Sequence, residues 1–166
     1  MKALYAFSLI TASTLLSYGQ QPHPVDHSTM DHSKMVQQNG ERAMGFSQTQ
    51  TTHHFLLRKD GGAIQVEANS AEDRDNRDKI RTHLAEIAKE FKKGIFTTPF
   101  AVHRVVPPGV PEMDKLKDDI TYSYEETDRG ARVRITSKNK AALDAIHAFL
   151  KFQIEEHKTG DPIALQ

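Results

Sequence analysis

Two patterns of the same kind, each a hairpin followed by a helix, occupy most of this chain and limit its fold to few architectures. Residues 51–58 and 63–68 alternate apolar and polar side chains around a Lys-Asp-Gly-Gly turn, which predicts a β-hairpin. Apolar side chains at three- and four-residue spacing then predict a helix: Ile80, Leu84, Ile87 and Phe91. We expect Asn69 or Ser70 to cap this helix and Gly94 to end it.

The second pattern follows a connection rich in proline, in which residues 112–118 are expected to make one or two helical turns. Alternation around an Asp-Arg-Gly turn at 128–130 predicts another hairpin. Its apolar residues are Ile120, Tyr122, Tyr124, Val133 and Ile135. A helical stripe follows a cap near Ser137 or Asn139 and consists of Leu143, Ile146, Leu150 and Ile154. Two such hairpin-helix units build a four-stranded antiparallel sheet with two helices packed on one face, an α+β fold.

The N-terminal residues indicate export. A lysine precedes an apolar run over residues 3–16, and small residues near Gly19 suit cleavage by a signal peptidase after that residue. The run is shorter than the roughly 20 apolar residues that a membrane-spanning helix needs, and no later segment approaches that length. We therefore expect a signal peptide over 1–19, a periplasmic or secreted mature protein without a membrane span, one domain over 44–161 and a short tail over 162–166.

The composition excludes several kinds of site. The chain contains no cysteine, which rules out disulfides, thiolate zinc sites, iron-sulfur clusters and covalently attached haem. A metal ion must therefore be held by His, Met, Asp, Glu or backbone atoms. The formal net charge is zero and the Lys and Arg residues are dispersed, which argues against a nucleic acid partner.

A five-residue unit, Asp-His-Ser-x-Met, occurs twice in tandem at residues 26–35. Thioether sulfur favours Cu(I), and imidazole also accepts Cu(II) and Zn(II), so the combination points to copper. The candidate ligands here are His23, His27, Met30, His32 and Met35. The surrounding polar segment, 20–43, has almost no apolar side chain able to join a core, so we expect it to be disordered without metal. The alternative is a polar linker in which histidine is common.

This repeated unit resembles the His/Met-rich repeats of bacterial periplasmic and outer-membrane copper-resistance proteins. The resemblance covers only residues 26–35 and says nothing about the folded domain. It implies copper binding by the segment, in either oxidation state. Beyond the metal ion, the expected partner is a periplasmic copper efflux or oxidase protein, and a homodimer is left open.

A second group of candidate ligands lies in the folded domain: His53, His54, His83, His103, Met113 and His147. His83 and His147 lie on the two helical stripes, so we expect both imidazoles to face the interior or its margin. Strand alternation sends either His53 or His54 to the same side of the sheet. Three imidazoles would then approach one another, a number that suits a copper or zinc site with an open position.

The long connection adds His103 and Met113, which would complete or cover such a site. For each histidine the alternative is a hydrogen bond to a backbone carbonyl or a carboxylate, with no further role. We interpret Glu155-Glu156-His157, at the end of the second helix, as a solvated terminus.

Three classes of function follow from these residues. In the leading interpretation the protein handles copper, with zinc as a second metal: the N-terminal segment captures the ion and the domain receives or stores it. In the second, the domain binds a b-type haem or a small ligand, with His83 or His147 as the axial ligand. In the third, a histidine-held metal activates water or oxygen in an enzyme, with His103 on the substrate side. No phosphate loop, nucleophile elbow or His-Glu-x-x-His motif supports an enzyme.

Overall fold

The structure is a computed structural model that describes residues 27–166, with side chains from His32 onward. Its elements are α1 (His27–Met44), β1 (Thr51–Arg58), β2 (Gly61–Ala68), α2 (Arg74–Lys92), α3 (Thr97–His103), α4 (Val110–Lys115), a 3-10 turn (Lys117–Asp119), β3 (Ile120–Thr127), β4 (Gly130–Ser137) and α5 (Lys140–His157). The expected signal peptide lies outside the described residues. None of the described helices is long and apolar enough to cross a membrane.

The four strands form one antiparallel sheet in the order β1-β2-β4-β3, which confirms the predicted α+β class. The two hairpins therefore join through their second strands. The register aligns Phe55 with Ile64, Ile64 with Val133 and Val133 with Tyr124. Because residues directly opposite one another share a face, this row presents apolar side chains to one side of the sheet.

The helices α2 and α5 cover that apolar side, as predicted. The core beneath them includes Phe91 from α2 and Phe149 from α5, whose rings meet edge to face with centres 5.9 Å apart. Burial of one such side chain stabilises the fold by about 2 kcal/mol. The opposite side of the sheet is polar, and there Arg132 forms an ion pair with Glu125. Only one side of the sheet therefore offers apolar surface to a helix.

The ends of the two long helices match the sequence in part. Asn139 caps α5 as expected, accepting hydrogen bonds from two backbone N–H groups of the first turn. The N-cap of α2 is Asp73 instead of Asn69 or Ser70. Asn69 is held by the preceding hairpin, because its side chain accepts a hydrogen bond from Thr52 and donates one to the carbonyl of Thr49.

The proline-rich connection contains more helix than the sequence indicated. The expected turns over 112–118 are present as α4 and the 3-10 turn, but α3 was not anticipated. Pro99 lies in the first turn of α3, where a backbone N–H has no partner within the helix, so proline is tolerated there. Arg104 ends the helix in the left-handed conformation, with φ of 61°.

The segment that we expected to be disordered, 20–43, is helical from His27 onward. This helix, α1, contacts α3 and α5. Val36 is buried on its inner side, and the buried Asn39 donates a hydrogen bond to the carbonyl of Val102 at 3.1 Å. The expectation rested on the scarcity of apolar side chains, but one buried valine and one paired amide attach the helix to the domain.

We predict that Gly109→Ala destabilises the protein more than Gly45→Ala. Both glycines have positive φ, 83° and 76°, so each substitution carries a backbone penalty of about 1 kcal/mol. At Gly109 an added Cβ would lie 2.1 Å from the carbonyl oxygen of Ala145 in α5, whereas at Gly45 nothing lies within 4 Å. The overlap should cost roughly 1–3 kcal/mol more. Urea unfolding of both variants measures the difference, and equal losses would contradict the packing of α4 on α5.

Candidate functional site

Four histidines from four different elements line one internal cavity: His53 from β1, His83 from α2, His103 from α3 and His157 from α5. Met44, at the end of α1, also lines it. The rest of the wall is largely apolar, and the cavity volume is about 50 Å³. We call these four side chains the histidine cluster. A water molecule needs only roughly 10–15 Å³ measured in this way, so the space suits an ion or a few waters.

Each member of the cluster is placed by the periodicity of its own element. His53 shares the inner side of β1 with Phe55 and Leu57, as the alternation predicted. His83 lies on α2 between Ile80 and Ile87. These two positions follow directly from strand and helix geometry.

The other two members stand at helix ends. His103 is the last residue of α3, and its side chain is fully buried. His157 is the last residue of α5, one turn beyond Gln153 and Ile154 on the buried side of that helix. The interpretation of His157 as part of a solvated terminus was therefore wrong. The sequence did contain a signal for this position. His157 lies four residues after Gln153 and three after Ile154, so it continues the buried side of α5 by one more turn.

The aromatic rings are arranged in a continuous row. The His53 and His157 rings are nearly parallel, with centres 5.7 Å apart, and the His157 and His103 rings are perpendicular at 5.0 Å. On the other side of His53, Phe46 stacks at 5.8 Å and also meets the edge of the His83 ring at 5.7 Å. The cluster is thus a packed group of rings in which a small rotation of one imidazole affects the next.

Two ring nitrogens in the cluster are buried without a hydrogen-bond partner in the described part of the chain: Nε2 of His53 and Nδ1 of His103. The Nε2–H of His103 donates to Oε1 of Gln153 at 3.0 Å. In a neutral imidazole the other nitrogen then carries the lone pair, so Nδ1 of His103 is an available acceptor or metal ligand. A buried polar atom without a partner costs about 1–3 kcal/mol, and such atoms call for an explanation.

Burial keeps the cluster neutral. Loss of hydration, reinforced by the neighbouring His83 and His54, lowers the pKa of His53 from 6.5 to about 4. The same cause, with the nearby His53 and His103, lowers the pKa of His157 to about 3. Burial also lowers the pKa of His83 and of His103. At neutral pH all four rings are unprotonated, which is the form that binds metal ions.

A carboxylate stands at the outer edge of the cluster. Oε2 of Glu156 accepts a hydrogen bond from Nε2–H of His32 at 2.6 Å, and the same oxygen lies 3.7 Å from Nδ1 of His103. His32 belongs to the repeated sequence unit and lies on α1. The helix that carries this unit is therefore in contact with the end of α5 beside the cluster.

Other predicted ligands lie elsewhere. His54 is on the polar side of the sheet, where its Nδ1 is 2.9 Å from Oδ1 of Asp161. Nε2–H of His147 donates to the carbonyls of Arg58 and Gly61 and so attaches α5 to the first hairpin. The expected approach of His147 to His83 is therefore absent. The buried side of α5 is centred on residues such as Ile146 and Leu150, which leaves position 147 at its margin.

The remaining candidates divide between the core and α1. Met113 is fully buried on α4 as part of the hydrophobic core and does not line the cavity. Met35 is 36% exposed on α1. His27 and Met30 belong to α1, but their side chains lie outside the described part, as does all of His23.

No three His, Asp or Glu side chains among those described are arranged to hold a metal ion together. Binding by the cluster would therefore require the rings to rotate. An ion about 2 Å from one nitrogen of each of two rings holds the ring centres roughly 5 Å apart. The centre-to-centre distances of 5.0 and 5.7 Å for the His103–His157 and His53–His157 pairs are close to this value.

Comparisons of the chain with protein-family models, with curated proteins and with solved structures gave no match.

We predict that the metal-free protein loses stability as the pH falls below about 6.5. The unfolded chain protonates His53 and His157 near pH 6.5, but the folded protein protonates them only near pH 4 and 3. Between these values the unfolded state binds more protons, so the free energy of unfolding falls by at most about 1.4 kcal/mol per pH unit for each histidine.

Urea unfolding in the presence of a chelator, from about pH 7.5 to 5, measures this dependence. His157→Phe should reduce the slope because the variant has one fewer depressed imidazole to protonate on unfolding. His147→Gln removes an imidazole from the same helix, one whose ring is bonded to carbonyls outside the cavity, and serves as the control for the loss of a histidine as such. An unchanged slope in His157→Phe would contradict the burial of a neutral ring at this position.

Proposed function

We propose that this protein is an exported copper-binding protein whose folded domain takes up one copper ion at the histidine cluster. The observation that carries the proposal is the pair of buried ring nitrogens without partners, on His53 and His103, two residues that line the same small cavity. A bound cation would take up the lone pair of His103 Nδ1, and His53 would offer its unprotonated nitrogen as a second donor. The repeated His/Met unit on the helix next to the cluster supports the same metal.

The chemistry of the cavity favours Cu(I) over Zn(II). Its donors are neutral imidazoles and the thioether of Met44, a combination that suits copper. The cavity wall contains no carboxylate, so the charge of a bound ion would be largely uncompensated. Burying an ion without a counter-charge is costly, and the cost rises steeply with charge, so a monovalent ion is preferred.

The two alternative functions fit the cavity less well. Small-molecule sites occupy roughly 300–1,000 Å³, so a haem would require the walls of this cavity to move far apart. One of its expected axial ligands, His147, is bonded to two carbonyls outside the cavity. An enzyme would need room for a substrate beside its metal, and a volume of about 50 Å³ leaves little.

The place of the protein in copper handling is proposed from the sequence. An N-terminal signal would direct the chain to the periplasm, where the cluster would hold copper for transfer to an efflux or oxidase protein. A homodimer is compatible with this role.

The test is a copper titration of the mature full-length chain. We expect the parent to bind one Cu(I) in competition with a Cu(I) chelator, and His53→Gln or His157→Gln to weaken this binding by at least about tenfold, as loss of groups at a metal site does. His54→Gln and His147→Gln are matched controls and should bind like the parent. Circular dichroism establishes that each variant is folded.

Either of two results would overturn the proposal. One is the absence of Cu(I) binding that survives replacement of His23, His27 and His32 together by Asn. The other is equal weakening by the control and cluster substitutions, which would mean a general loss of structure instead of the loss of ligands.

A further inference from the structure

Glu156 connects a solvent-exposed histidine with a buried one. Its Oε2 is 2.6 Å from Nε2 of His32 and 3.7 Å from Nδ1 of His103. The three side chains are 47%, 25% and 0% exposed, in the order His32, Glu156 and His103. Three potential metal donors therefore lead from the surface to the histidine cluster.

The distance of 3.7 Å between Oε2 of Glu156 and Nδ1 of His103 is too long for a hydrogen bond. Nε2–H of His103 is used by Gln153, so Nδ1 presents its lone pair in the neutral ring. A carboxylate oxygen also presents lone pairs, so the two atoms attract each other only when a cation joins them, either a proton on Nδ1 or a metal ion between the two donors. An ion about 2 Å from each donor would fit the gap of 3.7 Å with a bent geometry.

A groove reaches the cluster from this side. It has a volume of about 410 Å³ and is lined by polar side chains from α1, β1 and the end of α5. His53, His157 and Glu156 line the groove, and the two histidines also line the inner cavity. An ion in the groove would therefore meet Glu156, which is also in contact with His32 and His103.

We propose that His32 and Glu156 form an outer site that receives copper and passes it to His103 and the cluster, an inference that rests on the proposed function. In the first step, copper binds Nε2 of His32, and the proton of that nitrogen moves through water to Nδ1 of the same ring. The ion then forms a bond to Nδ1 of His103 as its bond to His32 breaks, with Glu156 bound throughout. In the last step it exchanges the carboxylate for a ring of the cluster, without any change of oxidation state.

The order of donors gives the transfer its direction. A carboxylate is a hard ligand and holds Cu(I) weakly, whereas imidazoles and a thioether hold it more strongly. The outer site is thus suited to rapid exchange, and the inner site to retention. Met35 lies three residues after His32 on α1, on the same side of the helix, and places a thioether near the outer site.

The experiment is a stopped-flow measurement of Cu(I) transfer from its bicinchoninate complex to the mature full-length protein. Glu156→Gln keeps the size of the side chain and removes its charge, and His32→Asn removes the exposed ring. Each should slow loading by at least about tenfold, because the charge and donor that concentrate the ion at the groove are lost. Release to excess chelator should slow by the same factor, so that the equilibrium affinity and the stoichiometry stay those of the parent. Glu155→Gln, at an exposed neighbouring position of α5, is the control and should load at the parent rate.

The outcomes separate this inference from the proposed function. Unchanged rates in both variants, or a lowered affinity with an unchanged loading rate, would overturn the transfer route and leave binding at the cluster intact. If the parent's copper is lost in His32→Asn and retained in His157→Gln, copper binds only at the outer site, and the proposed function fails. A purely structural role for Glu156 predicts loss of thermal stability without equal slowing of loading and release, and that result would also overturn the route.

Discussion

Both long helices cover the same side of the sheet because most of the apolar side chains of the strands face that side. The pairing of Phe55, Ile64, Val133 and Tyr124 across four strands forms one apolar surface, and the opposite row carries His54, Gln65, Arg132 and Glu125. A shift of one residue in β1 would exchange His53 for His54 in the interior. The position of the cluster therefore depends on the same register that forms the core, because one of its imidazoles, that of His53, lies on a strand of the sheet.

The histidine cluster would destabilise the folded protein if its only role were to fill the core. Four imidazoles meet in an apolar cavity, two of their nitrogens lack partners in the described part of the chain, and burial lowers the pKa of all four rings. An apolar side chain at any of these positions would avoid the desolvation of a polar ring. Binding of a cation would change this balance, because a buried ring nitrogen that lacks a partner would become a ligand. A role in binding therefore explains the four polar rings better than a role in folding does.

The sequence predicted the parts of the structure that repeat with a regular period. Both hairpins, both long helices and the inward position of His83 follow from alternation or helical spacing, and alternation also placed one of His53 and His54 inside. The strand order did not follow, since it depends on how the two hairpins meet. The helices α1 and α3 were missed because few apolar residues hold them, and contacts such as that of Asn39 with the carbonyl of Val102 leave no periodic trace. His157 was misjudged because it lies where a helix usually becomes solvated, whereas here its ring packs against His53 and Phe55 of β1 and His103 of α3.

The packing of α1 against the domain, which the sequence did not predict, connects the two groups of histidines. Because α1 lies against α3 and α5, His32 of the repeated unit reaches Glu156, and Glu156 stands next to His103. A disordered segment would have to find the cluster from solution, whereas a docked helix keeps its donors within a few ångströms of the groove. Docking also couples the two groups of histidines: a change in the position of α1 moves His32 relative to Glu156, and so changes how the carboxylate is held beside His103.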